Sequence, residues 1–233
     1  MISYFPSIYP DELLYSQLAR YYAKTGYLAY TFAAEDLFQS KTIRPDIEFL
    51  NAYTPEALQM ITRTMTIEDV VMQHTMFPYY GRFIPPERRQ KAFDSLVSMG
   101  TEYHNLLSIP KRKDRISRHL RYCPECVKDD RQKYGETYWH KVHQMVGVNI
   151  CPLHHCHLIE SDIAIYPPFL RTLGSTSDVT HLLNCFAVGS LEDIIREYRP
   201  DSLIITVFCF PPGVSIQWTP LSSSSTFVLS ACL

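Results

Sequence analysis

Two short pairs of candidate metal ligands lie in the middle of the 233-residue chain. Cys123 and Cys126 are separated by two residues, and Cys151 and His154 repeat this spacing after 24 intervening residues. A two-residue gap allows a tight turn to direct both side chains at one ion, and two such pairs complete the tetrahedral shell that Zn²⁺ prefers. These four residues therefore predict a zinc site.

The composition of this shell indicates a structural zinc ion rather than a catalytic one. Four protein ligands close the coordination sphere and leave no position for an activated water. A hydrolase or deaminase needs an open position and a general base, and here no His-x-Glu motif precedes a Pro-Cys-x-x-Cys motif. We therefore predict that the chain is not an enzyme, with a zinc-dependent hydrolase or deaminase as the less favoured alternative.

Other histidines and cysteines lie close to the two pairs. His140 and His143 are three residues apart, so on a helix they would share one face. That spacing suits either metal binding or a supporting hydrogen bond of one histidine with a carboxylate or a carbonyl near the metal. Cys156 is more typical of a buried thiol, with replacement of His154 as the alternative. The repeated spacing favours the two pairs, and a contribution from His140 or His143 stays open.

The segment at residues 105–133 carries nine Lys and Arg residues against four Asp and Glu residues, although the whole chain has a net charge of −2. Such a local excess of cations favours salt-sensitive contacts with the phosphates of double-stranded DNA. The alternatives are a solvated linker and compensation of the negative charge of a zinc–thiolate centre. The residues predicted to contact DNA are Lys111, Arg112, Lys113, Arg115, Arg118 and Arg121.

Capping residues and apolar spacing predict a series of short helices before this segment. Asp11 and Glu12 suit the positive N-terminal end of a first helix, and Gly26 suits its C-terminal cap. Short helices with tight connections are compatible with a helix-turn-helix domain or with a plain helical bundle. The further helices are predicted at 31–39, 54–63, 66–74 and near 87–99, and Pro78 is expected to end the fourth.

These elements predict a mainly α fold, in which a helix-turn-helix-like domain precedes a zinc-finger unit and a small irregular or β tail follows. The predicted boundaries are 1–104 for the helical part, 105–160 for the basic segment with the zinc unit, and 161–233 for the C-terminal region. A helix is expected from Ser190 through Tyr198 and a strand at 203–210, since that run is β-branched and aromatic. Cys185, Cys209 and Cys232 are too scattered for a second zinc site.

Composition excludes several classes of protein. Hydrophobic residues make up 46% and charged residues 20% of the chain, as in ordinary globular proteins. No stretch approaches the roughly 20 apolar residues of a membrane span, and the N-terminus lacks the pattern of a secretion signal. No P-loop motif is present, so the chain is not expected to be an ATPase. We expect a cytoplasmic protein that makes no membrane contact.

The motifs of residues 4–160 resemble those of the TniQ/TnsD family of transposition target-selection proteins. The central match consists of a Cys-Pro-x-Cys motif, an acidic residue, an aromatic-rich helix and a Cys-Pro-x-His motif followed by Leu. In this chain the matching positions are Cys123 to Cys126, Asp129, Tyr138-Trp139, Cys151 to His154 and Leu158. Weaker matches are Pro10 to Ser16, Leu18 to Arg20, His74-Thr75 and Pro78 to Tyr80.

The resemblance implies a DNA-targeting adaptor in the bacterial cytoplasm, associated with the nucleoid. Such an adaptor would bind double-stranded DNA or join an RNA-guided CRISPR effector complex, and it would recruit an AAA+ ATPase regulator and, through it, the transposase. The resemblance also implies structural zinc held by the four matching ligands. TnsD-type relatives typically continue into further DNA-binding helices, so we expect this chain to be a short TniQ-like form or a truncated or frame-altered product, with 161–233 as an atypical C-terminus. A zinc-ribbon module for protein interaction is the alternative.

Overall fold

The computed structural model describes residues 2, 4–109, 118–165 and 190–192. Over these residues the chain is mainly helical with one small sheet, which confirms the predicted fold class. No helix in these ranges combines the length and the apolar character needed to cross a membrane. The elements are α1 (Leu14–Thr25), α2 (Tyr30–Phe38), α3 (Pro55–Ile61), α4 (Ile67–His74), α5 (Phe77–Gly81), α6 (Pro86–Val97), α7 (Tyr103–Leu106), β1 (His119–Tyr122), α8 (Pro124–Tyr134), a 3₁₀ turn (Val142–Gln144) and β2 (Ile159–Ala164).

Local capping explains why the predicted helices form close to the expected positions. α1 ends at Gly26, which adopts the left-handed conformation (φ 71°) that favours glycine. Thr54 accepts a hydrogen bond from the Ala57 amide at the start of α3. Thr66 and Asp69 form a reciprocal capping box at the start of α4. These contacts satisfy amide groups that have no partner within their own helix.

Two local predictions at helix ends are wrong. Asp11 and Glu12 do not lie in the first turn of α1, because the chain reaches the helix through a left-handed residue at Asp11 (φ 57°) and buries Glu12. Pro78 does not end α4, which stops at His74; it lies in the first turn of the unpredicted helix α5. Proline is well tolerated there because the first amide groups of a helix have no helical acceptor.

The helices from α1 to α7 pack around a continuous hydrophobic core. Its fully buried members include Leu18, Leu37, Val70 and Leu96, which come from α1, α2, α4 and α6. Phe49, from the segment between α2 and α3, packs against Tyr80 and Tyr103 in the same core. The helix-turn-helix arrangement remains a prediction.

A second hydrophobic cluster joins residues from both sides of the predicted boundary at 104/105. Leu13, Tyr15 and Met76 come from the helical part, and Leu120 and Trp139 come from the region around the metal-type pairs. Leu120 lies on β1, which pairs with β2 in an antiparallel ladder. The assignment of separate units at 1–104, 105–160 and 161–233 stays a prediction, but the first two share this core.

The segment that contains Tyr138 and Trp139 is not the aromatic-rich helix that the resemblance implied. Its backbone pairs with the segment before α1: the Leu13 amide donates to the Trp139 carbonyl at 3.0 Å, and the Lys141 amide donates to the Asp11 carbonyl at 2.7 Å. These long-range bonds use backbone groups that a helix would need for its own ladder. The segment is therefore extended.

A buried ion pair supports this backbone pairing. Arg20 of α1 donates to both carboxylate oxygens of Glu12, at 2.9 and 2.7 Å, and a third bond of 2.9 Å reaches Glu136. The side chains of Arg20 and Glu12 are 3% and 0% exposed. A bidentate guanidinium–carboxylate contact is among the strongest side-chain interactions, and removal of one buried partner leaves an uncompensated charge.

We predict that Arg20→Met destabilises the protein by about 3–5 kcal/mol, because Glu12 would remain buried without its cation. Urea denaturation gives the free energy of unfolding. Lys24→Met is the matched control, since Lys24 is 40% exposed and contacts Glu136 from the solvent side, where an ion pair contributes about 0–1 kcal/mol. Equal stability losses in the two variants would contradict the central position assigned to Arg20.

The predicted helix from Ser190 to Tyr198, the predicted strand at 203–210 and the three scattered cysteines lie outside the described residues, apart from 190–192. Within that short stretch Leu191 belongs to the second hydrophobic cluster, and Glu192 accepts two hydrogen bonds from Arg131 of α8. The chain thus returns to α8 after residue 165.

Candidate metal centre

The first cysteine pair lies at the junction of β1 and α8. Cys123 is the N-terminal cap of α8, and its Sγ accepts a hydrogen bond from the Cys126 amide at 3.4 Å. Pro124 occupies the first turn of the helix, where it is favoured. The positive end of the helix dipole stabilises a thiolate at this position. Local sequence therefore shapes half of the centre.

The second pair lies on a tight turn. The Cys151 carbonyl accepts from the His155 amide at 2.9 Å, and the Cys151 amide donates to the Cys156 carbonyl at 2.8 Å. His155 is left-handed (φ 54°), and Ile150 and His157 form a bridge that closes the loop. This turn directs both side chains of the pair toward the start of α8.

The four predicted ligands meet at one point. Their ligating atoms, three Sγ atoms and Nδ1 of His154, lie within 4.8 Å of one another. The Cys126 and Cys151 sulfurs are 3.7 Å apart, and the distances from the sulfurs to Nδ1 are 3.3–3.7 Å. A tetrahedral site with bonds of about 2.3 Å to sulfur and 2.0 Å to nitrogen has edges of roughly 3.5–3.8 Å. The arrangement therefore fits a tetrahedral metal ion.

The tautomer of His154 is set by a carboxylate. Its Nε2 donates to Asp129 of α8 at 2.9 Å, which leaves Nδ1 as the nitrogen that faces the sulfurs. Metal-binding histidines in proteins usually donate their second ring N–H in this way. Asp129 lies three residues after Cys126, about one helical turn away, so α8 carries both the ligand and the carboxylate on one side.

The three sulfurs are buried. A hydrogen bond from Cys126 lowers the pKa of Cys123 to about 4 although burial opposes the shift, and the same contact raises the pKa of Cys126. Three cysteines and a histidine could hold a metal ion, since ligating thiols give up their protons to it. Such a shell leaves no open position for a reacting water.

Cys156 and His143 contact the sulfurs of this centre but are not among the four candidate ligands. The Cys156 Sγ is 3.2 Å from the Cys123 Sγ, and both are buried. Nε2 of His143 is 3.8 Å from the Cys126 Sγ, and burial lowers the pKa of His143 to about 3. A neutral ring at this distance can orient a thiolate through a weak N–H contact with sulfur.

His140 binds a different partner. Its Nε2 lies 3.0 Å from Asp130 of α8, which also accepts a hydrogen bond from Thr137. His140 and His143 do not share a helical face, because a 3₁₀ turn begins only at Val142, yet their rings are in contact at 4.9 Å. Of the two alternatives that the sequence left open, metal binding and a hydrogen bond with a carboxylate or carbonyl, His140 adopts the hydrogen bond, with Asp130 as its partner.

The residues predicted to contact DNA divide into two groups. Lys111, Arg112, Lys113 and Arg115 lie outside the described residues, and their DNA contact stays a prediction.

The other two bind within the chain. Arg118 pairs with the buried carboxylate of Glu48, which also accepts from Tyr80. Arg121 donates to the Met145 and Val148 carbonyls at 2.8 and 2.6 Å. Arg121 therefore holds the loop that leads to the second pair, and no local sequence signal marks this role.

The Gln144 side chain also holds this loop in place, and no sequence signal predicted this role. Its Oε1 accepts from the Arg121 amide at 2.9 Å, and its Nε2 donates to the Arg121 carbonyl at 2.7 Å. The side-chain amide group of Gln144 thus forms the same two hydrogen bonds with Arg121 of β1 that the backbone of a neighbouring strand would form. Because both contacts are with the residue two positions before Cys123, they align the two halves of the centre.

Comparison with known proteins agrees with the resemblance of the sequence motifs to the TniQ/TnsD family. The model of the TniQ family matches residues 3–158, a range that contains all four members of the centre. The transposon Tn7 transposition protein TnsD of Escherichia coli is 25% identical over 157 residues, which cover 64% of this chain and 30% of that protein. The match with this relative thus spans less than a third of its length.

We predict a pH-dependent contribution of His140 to stability. Burial alone would lower its pKa, but hydrogen bonds with Asp11 and Asp130 outweigh burial and raise the pKa to about 9. Stabilisation by the charged ring is therefore complete below the unfolded value of about 6.5 and is lost as the pH rises through about 9.

Urea denaturation of the metal-loaded protein and of His140→Gln at several pH values measures this contribution. The stability advantage of the wild type should shrink by an amount on the order of 2 kcal/mol between pH 6.5 and 9. Effects of pH on the metal centre itself cancel in this comparison. A constant difference across that range would show that His140 is not held in its charged form.

Proposed function

The chain belongs to the TniQ family, and on this premise we propose that it selects target sites for DNA transposition. The match of the family model over residues 3–158, with the Cys₃His centre inside it, carries this proposal. The relative from Tn7 is a transposition protein, and the match covers 30% of its length. Family membership agrees with the prediction that the chain is not an enzyme.

The metal that we propose for the centre is zinc, in a structural role. Thiolate and imidazole ligands at tetrahedral spacing suit Zn²⁺, and a closed shell provides stability rather than catalysis. Cys123 and Cys126 of α8 would be joined to Cys151 and His154 of the following loop. Since the loop leaves its apolar residues Val146, Ile150 and Leu153 exposed, the metal bonds would supply much of the energy that holds it against α8.

Removal of one ligand tests the assignment. We predict that Cys151→Ser loses tightly bound zinc and that Cys156→Ser keeps one ion per chain. Cys151 is one of the four proposed ligands, whereas Cys156 lies beside them. Metal analysis after gel filtration gives the stoichiometry. Replacement of zinc by Co²⁺ should give an absorption spectrum typical of tetrahedral thiolate ligation in the wild type and in Cys156→Ser. Loss of metal from Cys156→Ser alone would overturn the ligand set.

We propose that the DNA contacts come from Lys111, Arg112, Lys113 and Arg115. The intrachain contacts of Arg118 and Arg121 make these two guanidinium groups poor candidates for neutralising phosphates. The four remaining cations lie within five consecutive residues, a density that favours electrostatic binding to duplex DNA. The charged group follows α7 and precedes β1 in the chain.

We predict that replacement of these four residues by Ala weakens binding to duplex DNA and reduces its salt dependence. Each neutralised phosphate contributes about 0.9 to the slope of log K against log salt, so the slope should fall by roughly 3–4 if all four residues bind phosphates. Fluorescence anisotropy between about 50 and 200 mM salt, a range that makes such slopes measurable, provides the readout. An equal slope in wild type and variant would refute these contacts.

A charge-matched control separates local contacts from net charge. Lys41, Arg63, Lys91 and Lys133 are exposed residues dispersed over the described structure, and their replacement by Ala changes the net charge by the same amount. This variant should retain most of the wild-type slope. Equal reductions in both variants would indicate attraction by total charge rather than by the segment at 111–115.

We also propose that the adaptor recruits other components of transposition, namely an AAA+ ATPase regulator and, with it, the transposase or an RNA-guided complex. A zinc-ribbon module that binds proteins without touching DNA is the second candidate. The intrachain contacts of Arg118 and Arg121 favour it, since they remove two of six predicted DNA contacts. Zinc-loaded protein that shows no salt-dependent DNA binding would select this second candidate.

A further inference from the structure

A solvent-open groove of about 530 Å³ lies between α4, α5 and α6, far in sequence from the metal centre. Its apolar lining includes Met72 of α4, Phe77 of α5, Phe93 of α6 and Ile84 from the connection between α5 and α6. Gly81 also lines it, and an added Cβ there would touch Phe77 and Arg89 at 3.5 Å.

The groove exposes apolar surface that the fold itself does not use. Met72 is 38% exposed, and Ile84 and Phe93 of the same lining are half-buried. Apolar side chains that remain accessible within one groove are typical of interaction surfaces. The core beneath is complete, since Val71, Phe77 and Ala92 are fully buried. The exposed residues are therefore available for contact with another molecule.

Two arginines give the groove its charge. Arg82 and Arg89 line it, and neither forms an ion pair with any residue in the ranges that the structure describes. Pro86, Arg89, Gln90 and Phe93 lie at spacings of three, one and three residues, so they form one face of α6.

The acidic residues near this surface do not neutralise the two arginines. Glu87 and Asp94 of α6 lie outside the groove lining, and Asp94 accepts a hydrogen bond from Gln90 at 2.9 Å. Glu68 of α4 lies one turn before Met72 and forms no ion pair with either arginine. The groove is therefore apolar along its floor and positively charged along its rim.

We propose that this groove docks an acidic amphipathic helix of a partner protein. Apolar side chains spaced by three and four residues would contact the floor, and flanking carboxylates would bind the arginine guanidinium groups in bidentate fashion. The sugar–phosphate backbone of DNA would use the arginines but leave Met72, Ile84 and Phe93 without apolar contacts. This combination of surfaces favours a peptide, and it stands independently of the proposed zinc and DNA contacts.

A designed peptide tests the proposal on the full, zinc-loaded chain. The probe is a fluorescein-labelled helical peptide with Leu at helical spacing on one face and Glu on both flanks, and its comparison peptide carries Gln in place of every Glu. Anisotropy should show binding of the acidic peptide and at least about tenfold weaker binding of the Gln peptide, because the carboxylates supply the charge-assisted bonds.

Variants of the chain locate the binding site. Arg82→Glu with Arg89→Glu should weaken peptide binding by about tenfold or more, and Met72→Gln should weaken it several-fold without a change in charge. Arg63→Glu with Lys91→Glu is the charge-matched control and should leave binding within about twofold, since neither residue lines the groove. Zinc content and the DNA salt slope, measured on each variant, show whether folding and DNA binding remain intact.

Several results would overturn the proposal. Absence of peptide binding, or binding that Arg82→Glu with Arg89→Glu leaves unchanged, would refute the groove as a docking site. A loss of duplex DNA binding in that variant, with peptide binding retained, would assign the arginines to nucleic acid instead. Groove-dependent self-association in light scattering, or peptide binding that appears only after removal of residues 193–233, would assign the groove to a second copy or to the chain's own tail.

Discussion

The buried carboxylate of Glu12 is the constraint on which much of this structure depends. It accepts two hydrogen bonds from the Arg20 guanidinium group. The backbone of the adjacent residues Asp11 and Leu13 pairs with Lys141 and Trp139. A charge with 0% exposure is tolerated only when its partners are fixed, so the entry to α1 and the segment after α8 must stay together. The helical part and the metal region therefore depend on one another.

Helix α8 connects the segment that pairs with Glu12 to the candidate metal centre. Two consecutive carboxylates have separate roles: Asp129 orients His154, and Asp130 binds His140 next to the segment paired with Glu12. Because Cys123 and Cys126 lie at the start of the same helix, the position of α8 determines where the first half of the centre stands. The second half is aligned by Arg121, which holds the preceding loop. A structural metal would complete an arrangement that the protein already supports.

Basic residues that are neighbours in the sequence have different roles in the folded chain. A basic run in the sequence predicts phosphate contact because cations attract anions at long range. In the folded chain Arg118 instead compensates Glu48, and Arg121 donates to backbone carbonyls, so part of the run serves the fold. Meanwhile Arg82 and Arg89, which lie outside the basic run at 105–133, line an apolar groove. The residues proposed to contact DNA and those proposed to bind a protein partner thus come from different parts of the sequence.

Local interactions explain what the sequence alone determined. Each pair of candidate ligands, the helix starts at Thr54 and Thr66 and the end of α1 at Gly26 depend on neighbours within a few positions, so spacing was enough to predict them, and the fold brings the two pairs together. Tertiary structure decided the rest: the extended segment at 138–141, the pairing of Arg118 with Glu48 and the position of Cys156 beside the group of four. These features join residues up to about 130 positions apart, and no local pattern encodes which buried groups will satisfy one another.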